Sequence, residues 1–314
     1  MKQTKQLLTL GIALAFAFTG CKKDEPEKTN TTPNNPTTPQ GSNVYIINEG
    51  PFGSGTGTIS FYNNSTGALT NDIFGTANSG AALGNIVQSM SIYNSKAYVV
   101  VNNANKIEVA NASDFKSVGT ISGLDQPRYF LGIDNVKAYV TQWGPTGNEG
   151  SVKVINLANN SITSTINTGK GAENMVKVNN FVYVTCKGGY NNDSVVTVIN
   201  TNTDVVETTI NVGPNPNSIQ VDANGKIWVL CGGKWNSTFS ELEKTGRLVR
   251  INPSTNTIEA SFTFSSTVSG PSNLTINKAK NKLLYVFNSG VYSHEIAATN
   301  LSNSGLINRY FYGL

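Results

Sequence analysis

Hydrophobic and polar positions along this chain fall into short runs, not into long helical stripes. The clearest run is FVYVTC at 181–186, an aromatic residue set among β-branched ones. Runs of the same make-up place an aromatic at Tyr45, Tyr98, Tyr139, Tyr183, Trp228 and Tyr285. Such runs suit strands in a pleated, buried layer. A unit of strand character that returns roughly every 40–45 residues has the period of a β-propeller blade. The pattern therefore predicts an all-β chain folded as a β-propeller of four-stranded blades.

Six units can be traced. The first has strands at 44–48 and 58–63 and a weaker edge at 69–74, and it lacks an upstream first strand. The second has strands at 88–93, 96–102, 106–111 and 115–121, and the third at 128–133, 137–142, 151–157 and 161–167. The fourth has them at 174–178, 181–186, 194–201 and 205–212, and the fifth at 217–222, 226–231, 247–253 and 257–264. The sixth has them at 272–277, 282–288, 290–296 and near 306–310. Spacing supports the register: Tyr139 to Ile155 and Tyr183 to Ile199 are both 16 residues apart, and Asn follows each isoleucine. Asn takes the turn conformations that close a hairpin. In the fifth unit the matching interval is seven residues longer, and the excess falls in one loop, 232–246. The ending RYFYGL at 309–314 repeats RYFLGI at 128–133. That ending has two explanations: a seventh blade cut short, which is favoured, or a strand that pairs with the first unit and closes a six-bladed ring.

Composition agrees with many short strands and turns. The 314 residues are 38% hydrophobic and 13% charged, with 30 glycines. Lys2 and Lys5 precede an apolar stretch at 7–18, and Thr19-Gly20-Cys21 follows. This has the form of a secretory signal at 1–20, too short to span a bilayer as a mature helix. The small residues before Cys21 resemble a bacterial lipobox, which implies cleavage there, acylation of Cys21 and attachment to a membrane. Residues 21–43 have no large apolar side chain and are rich in Thr, Asn and Pro, so they are expected to be a disordered tether before the propeller at 44–314. Losing Lys2 and Lys5 lowers the net charge from +4 to about +2, too little for a nucleic-acid footprint.

The G-x-x-P at 213–216, the YVT-type second strands and the Ile-Asn endings of third strands resemble YncE-like propellers. The lipobox, the charged Lys22-Lys23-Asp24-Glu25, the Thr/Pro tether and the ending FYGL resemble Bacteroidota surface lipoproteins that carry an uncharacterised propeller domain. This resemblance implies an outer-membrane lipoprotein, facing outward, with a TonB-dependent transporter as partner and a corrinoid-type molecule among its possible ligands. It specifies fold better than function, because one fold hosts many functions.

In a propeller the loops after the second strand and after the fourth share one face, around the mouth of the central channel. Here the loops after the second strands carry Phe52, Gln142, Trp143, Lys187, Tyr190, Trp235 and Phe239. Aromatics with polar tips on glycine-rich loops suit a binding surface. The starts of the first strands add a polar ring at one repeat position: Gln88, Arg128, Glu173, Asn217, Ser272 and Arg309. The expected ligand contacts are therefore Phe52, Gln88, Arg128, Gln142, Trp143, Glu173, Lys187, Tyr190, Asn217 and Trp235.

Candidate catalytic chemistry is sparse. His294, the single histidine, is expected half-exposed on a third strand away from the channel, so no Ser-His-Asp set can form around it. No His/Cys/Asp cluster has metal-ligand spacing. Glu49, Glu149, Glu173 and Asp193 lie on the loop face, but only Glu173 is acidic in the polar ring, which argues against a lactonase-like metal site. Cys186 and Cys231 occupy one repeat position in neighbouring blades, beyond disulfide reach, and read as buried small hydrophobes. The expectation is a monomeric, non-enzymatic propeller without a cofactor that holds a small molecule or glycan on its loop face. An adhesion or scaffold protein and a lactonase-like hydrolase are the alternatives.

Overall fold

The second strands of the second to fifth blades form the core; that of the first blade, Val44–Asn48, is mostly exposed. KAYVVV, KAYVTQ, FVYVTC and IWVLC are buried on both faces almost throughout, whereas fourth strands such as SITSTIN and VVETTIN are mostly exposed. A computed structural model describes residues 43–301 and 305–308, all within one unit, Ser42–Leu314. The signal at 1–20, Cys21, the tether up to residue 42 and the repeat of RYF at 309–314 lie outside the described residues.

Those residues form an all-β, six-bladed propeller. Five sheets have four antiparallel strands in chain order, and the first has three: Val44–Asn48, Thr58–Asn63 and Ala68–Thr70. The first strands of the second to sixth blades neighbour one another around the axis, and the first blade sets its opening strand beside Val87–Tyr93. Strand limits match the expected ones to within about two residues in most blades.

Each hydrophobic cluster joins two blades. Tyr98 of the second blade packs with Phe130, Ala138 and Val140 of the third. Tyr139 packs with Val182 and Val184 of the fourth, Tyr183 with Val229 and Val249 of the fifth, and Trp228 with Leu274 and Tyr285 of the sixth. Tyr98, Tyr139, Tyr183, Trp228 and Tyr285 are all 2% exposed or less. Tyr45, at the first seam, is half-buried. The hydroxyl tips find partners on the next blade. Tyr139 donates to Asp204, and Tyr183 donates to Asn256 Oδ1 at 2.6 Å. Both acceptors sit at the left-handed position of a third-to-fourth-strand turn, with φ of 55° and 54°. One ring thus fills the seam, and its tip tethers the neighbouring turn.

Three expectations are corrected. The weak edge at 69–74 ends at Thr70, and Ile73–Ala77 is a short helix; Asp72 takes a left-handed backbone and its side chain caps Gly75 N at 3.0 Å. The long loop at 232–246 contains a small hairpin of Lys234–Trp235 with Leu242–Lys244. His294 is fully buried, not half-exposed, because it packs against Trp228 and Phe262 of the fifth blade at ring distances of 5.7 and 5.3 Å. Cys186 and Cys231 are buried free thiols.

Candidate functional site

The polar ring converges because the first strands are bulged. In each of the second to sixth blades the pairing of first and second strand slips near its start. Gln88, Arg128, Glu173 and Asn217 fall in the slipped stretches, where they oppose no residue on the second strand. A bulge bends the strand and re-aims its side chain. The freed backbone groups still need partners. Thr141 and Thr185, the threonines of the YVT-type runs, supply them: their hydroxyls accept from Tyr129 N at 3.0 Å and Asn174 N at 3.1 Å. Amides then link blade to blade, with Asn174 Nδ2 donating to Asn217 O and Asn217 Nδ2 to Pro271 O, both at 3.0 Å.

The re-aimed side chains line a cavity of about 530 Å³. Gln88, Arg128, Glu173, Asn217 and Ser272 are all in its wall, joined by Lys187 and Trp235 from the loops. Arg309 lies outside the described residues. Within the wall, Arg128 makes a two-pronged pair with Glu173, Nε to Oε2 at 3.1 Å and Nη2 to Oε1 at 2.9 Å. The Trp143 indole N–H donates to the same carboxylate at 2.9 Å. The Arg128 guanidinium lies 4.2 Å from the centre of the Trp143 ring, and Lys187 Nζ lies 5.3 Å from it.

The remaining predicted residues are placed differently. Trp143 and Gln142 are buried behind the wall, not in it; Gln142 Oε1 accepts from Asp125 N at 3.1 Å. Both have their polar tips taken up by the protein, so they brace the site. Tyr190 is exposed, meets Trp143 edge-on at 5.5 Å, and donates to Gln126 Oε1 at 3.1 Å. It lines a second cavity of about 490 Å³ that shares Lys187, Asn215 and Trp235 with the first. Phe52, 80% exposed on the loop of the first blade, reaches neither cavity. Glycine makes the loop contacts possible: a Cβ on Gly147 would stand 2.2 Å from the Tyr190 ring, and one on Gly189 would stand 1.9 Å from Gly147 O. Tyr129, Asn174, Asn215 and Gln220 also line the first cavity and were not singled out from the sequence. The signal for Tyr129 and Asn174 is adjacency to Arg128 and Glu173 within the same slipped stretch.

The carboxylates do not converge. Glu149 accepts from Thr146 within its own loop, Asp193 takes the backbone N–H groups of Lys170 and Ser194, and Glu173 serves Arg128 and Trp143. The loop hydrogen bonds, that from Thr146 foremost, hold the Glu149 carboxyl below its ordinary value. Among the described residues no three His, Cys, Asp or Glu side chains stand close enough to hold a metal ion. The groups lining the cavity are amides, the Ser218, Ser272 and Tyr129 hydroxyls, the Trp235 ring, one paired guanidinium and one ammonium.

Comparison with known proteins bears on fold. Among solved structures the chain is similar to the β-propeller domain of Myceliophteria thermophila Cps50 (Swd1), with a TM-score of 0.58, 8% identity, and coverage of 80% of this chain and 79% of that one. It is similar to a quinonprotein alcohol dehydrogenase-like protein from Bacteroides thetaiotaomicron (TM-score 0.57, 12% identity), over 81% of this chain and only 61% of that one. A third likeness is to Kuenenia stuttgartiensis hydrazine synthase (TM-score 0.55, 14% identity), over 72% of this chain and 68% of that one. Identities this low carry the propeller fold alone. No curated protein matches the chain. The family described as Domain of unknown function (DUF5074) matches residues 42–307, which takes in all six blades. The chain belongs to the DUF5074 family.

Proposed function

We propose that the chain is a non-enzymatic binding protein that takes up a small ligand at the mouth of its central channel. One observation carries the reading: five blades each aim a first-strand residue, four of them from a bulge, into one polar cavity of about 530 Å³. A volume of that order suits a small ligand. Binding without chemistry is supported by the state of the reactive groups. His294 is buried at a blade seam, both thiols are buried, and Glu173 is held by Arg128 and Trp143. A lactonase-like reaction would need carboxylates that converge, and these are held apart.

The repeat motifs and the N-terminal pattern support a finer reading: a YncE-like lipoprotein anchored through Cys21 in the outer membrane, facing outward, that passes its ligand to a TonB-dependent transporter. Titration of the full chain with cobalamins and with siderophores tests the small-ligand part. Binding at micromolar concentration supports it, and Gln88→Ala with Asn217→Ala should weaken that binding by about tenfold. No binding of either class removes corrinoids and siderophores as that ligand. Mass analysis of Cys21 after expression in a Gram-negative host tests the anchor; an unmodified cysteine removes it. The scaffold reading keeps one observation in its favour, the exposed Tyr190 and Phe239 rings beside the second cavity.

A further inference from the structure

On the reading that the channel-mouth face binds a ligand, its shape and its unpartnered groups narrow the ligand's class. The site does not end at the axis. The first cavity meets the second through Lys187, Asn215 and Trp235, and the second meets a third, of about 280 Å³, through Asn192 and Lys234. Arg247 and Asn211, at the ends of a third and a fourth strand, line the third cavity, so the track runs outward from the axis along the seam of the fourth and fifth blades.

Charges along the track do not cancel. Arg128 is neutralised by Glu173 and Lys234 by Glu243. Lys187, Lys244 and Arg247 have no carboxylate partner among the described residues. Asp193, which accepts from backbone N–H groups, lines the third cavity and offsets one of the two charges of Lys244 and Arg247 there. The track therefore carries excess positive charge over both of its outer cavities.

Arg247 and Asn215 set the polar character of its walls. Arg247 brings a guanidinium suited to an anion. The Asn215 amide, in the wall shared by the first and second cavities, is suited to hydroxyls. Between them, Trp235 offers an aromatic face, and Tyr190 and Phe239 stand exposed beside it. Anionic groups, hydroxyls and apolar C–H faces, spaced along an elongated molecule, describe one class. We infer that the track binds an acidic oligosaccharide, a glycan chain carrying carboxylate or sulfate groups, with its anions at Lys187 and at Arg247 with Lys244, its hydroxyls on the asparagine amides, and a sugar face on Trp235.

The test is titration of the full chain with an oligogalacturonate and a chondroitin sulfate oligosaccharide, against neutral maltohexaose and a single-stranded oligothymidylate. An acidic oligosaccharide is expected to bind at least about tenfold more tightly than maltohexaose, and to weaken as salt rises because the solvent-facing cations are screened. Arg247→Gln and Trp235→Ala should each cost about tenfold in affinity, and Lys187→Gln with Lys244→Gln together about as much. The lysine pair, Lys187 half-buried and Lys244 exposed, keeps the test open if Arg247→Gln fails to fold. Equal binding of the neutral glycan, binding insensitive to the lysines, or tighter binding of the oligothymidylate overturns the inference. Silence from both acidic oligosaccharides, while a cobalamin or siderophore binds, overturns it and leaves the small-ligand reading standing; silence from every probe overturns both.

Discussion

Replacing Glu173 with glutamine keeps the shape of the side chain and removes its charge. In the native chain this carboxylate accepts three hydrogen bonds, two from Arg128 and one from Trp143. Glutamine accepts through one oxygen only, so its amide N–H must face a guanidinium or indole donor. Hydrogen bonds to charged groups contribute about 1.5–3 kcal/mol each, and breaking one partner of a buried pair costs about 3–5 kcal/mol. Arg128 is 12% exposed at the cavity wall and regains part of its hydration there, whereas Glu173 is 4% exposed. The expected loss is therefore about 2–4 kcal/mol, and for a domain of this size a fall in Tm on the order of 10 °C. Denaturant unfolding of Glu173→Gln, Arg128→Met and the double variant measures it. The double variant strands no charge, so it should be more stable than the sum of the singles by at least about 1 kcal/mol. Singles within about 0.5 kcal/mol of wild type, or strict additivity, would refute the account of the wall.

Other consequences are open to measurement. Tyr183 is fully buried at a blade seam, so Tyr183→Ala should cost about 3–5 kcal/mol, and Tyr183→Phe, which loses only the hydroxyl and its contacts to Asn256 Oδ1 and Pro253 O, about 1 kcal/mol; an alanine variant that loses less than about 1 kcal/mol would remove the ring from the seam. Burial, aided by Arg250 and opposed by Glu295, holds the His294 imidazole below its ordinary value of 6.5. The unfolded chain then binds the proton more readily, so stability is full above about pH 6.5 and falls as pH drops through it; urea unfolding between pH 7 and 5 should show this slope, and His294→Phe should flatten it. Burial pushes the Cys186 thiol up to about 11 and that of Cys231 higher still. Iodoacetamide at pH 8 should therefore leave both unlabelled until the chain is unfolded, as peptide mass analysis would detect.

The blades were legible because their signal is local. The second strands of the second to fifth blades are buried on both faces, so their runs of β-branched and aromatic residues need no knowledge of their neighbours. The polar ring was legible for a related reason, since equivalent positions in a repeat share an environment. What escaped depended on contacts between blades or on backbone detail. Leu69, Ile73 and Phe74 read as a weak strand edge, but the left-handed Asp72 and its bond to Gly75 N start a helix. His294 reads as polar, yet the stacking of the sixth blade on Trp228 and Phe262 encloses it. Trp143 and Gln142 read as ligand contacts because they lie on a glycine-rich loop. Their polar tips instead meet Glu173 and Asp125 N, partners 30 and 17 residues away along the chain. The bulges that aim the ring were not read at all; the threonines that satisfy them, Thr141 and Thr185, were seen only as part of a strand motif.

The central claim is that the channel mouth itself holds the ligand, and filling it is the direct test. Ser272 lines the cavity and is half-buried, so Ser272→Trp would occupy the mouth while leaving the blade seams intact. Titration of wild type and Ser272→Trp with cobalamins, siderophores and acidic oligosaccharides should show uptake by the wild type and a loss of about tenfold or more in the variant at unchanged Tm. A variant that binds as the wild type does, or a wild type that binds none of these, would contradict the claim.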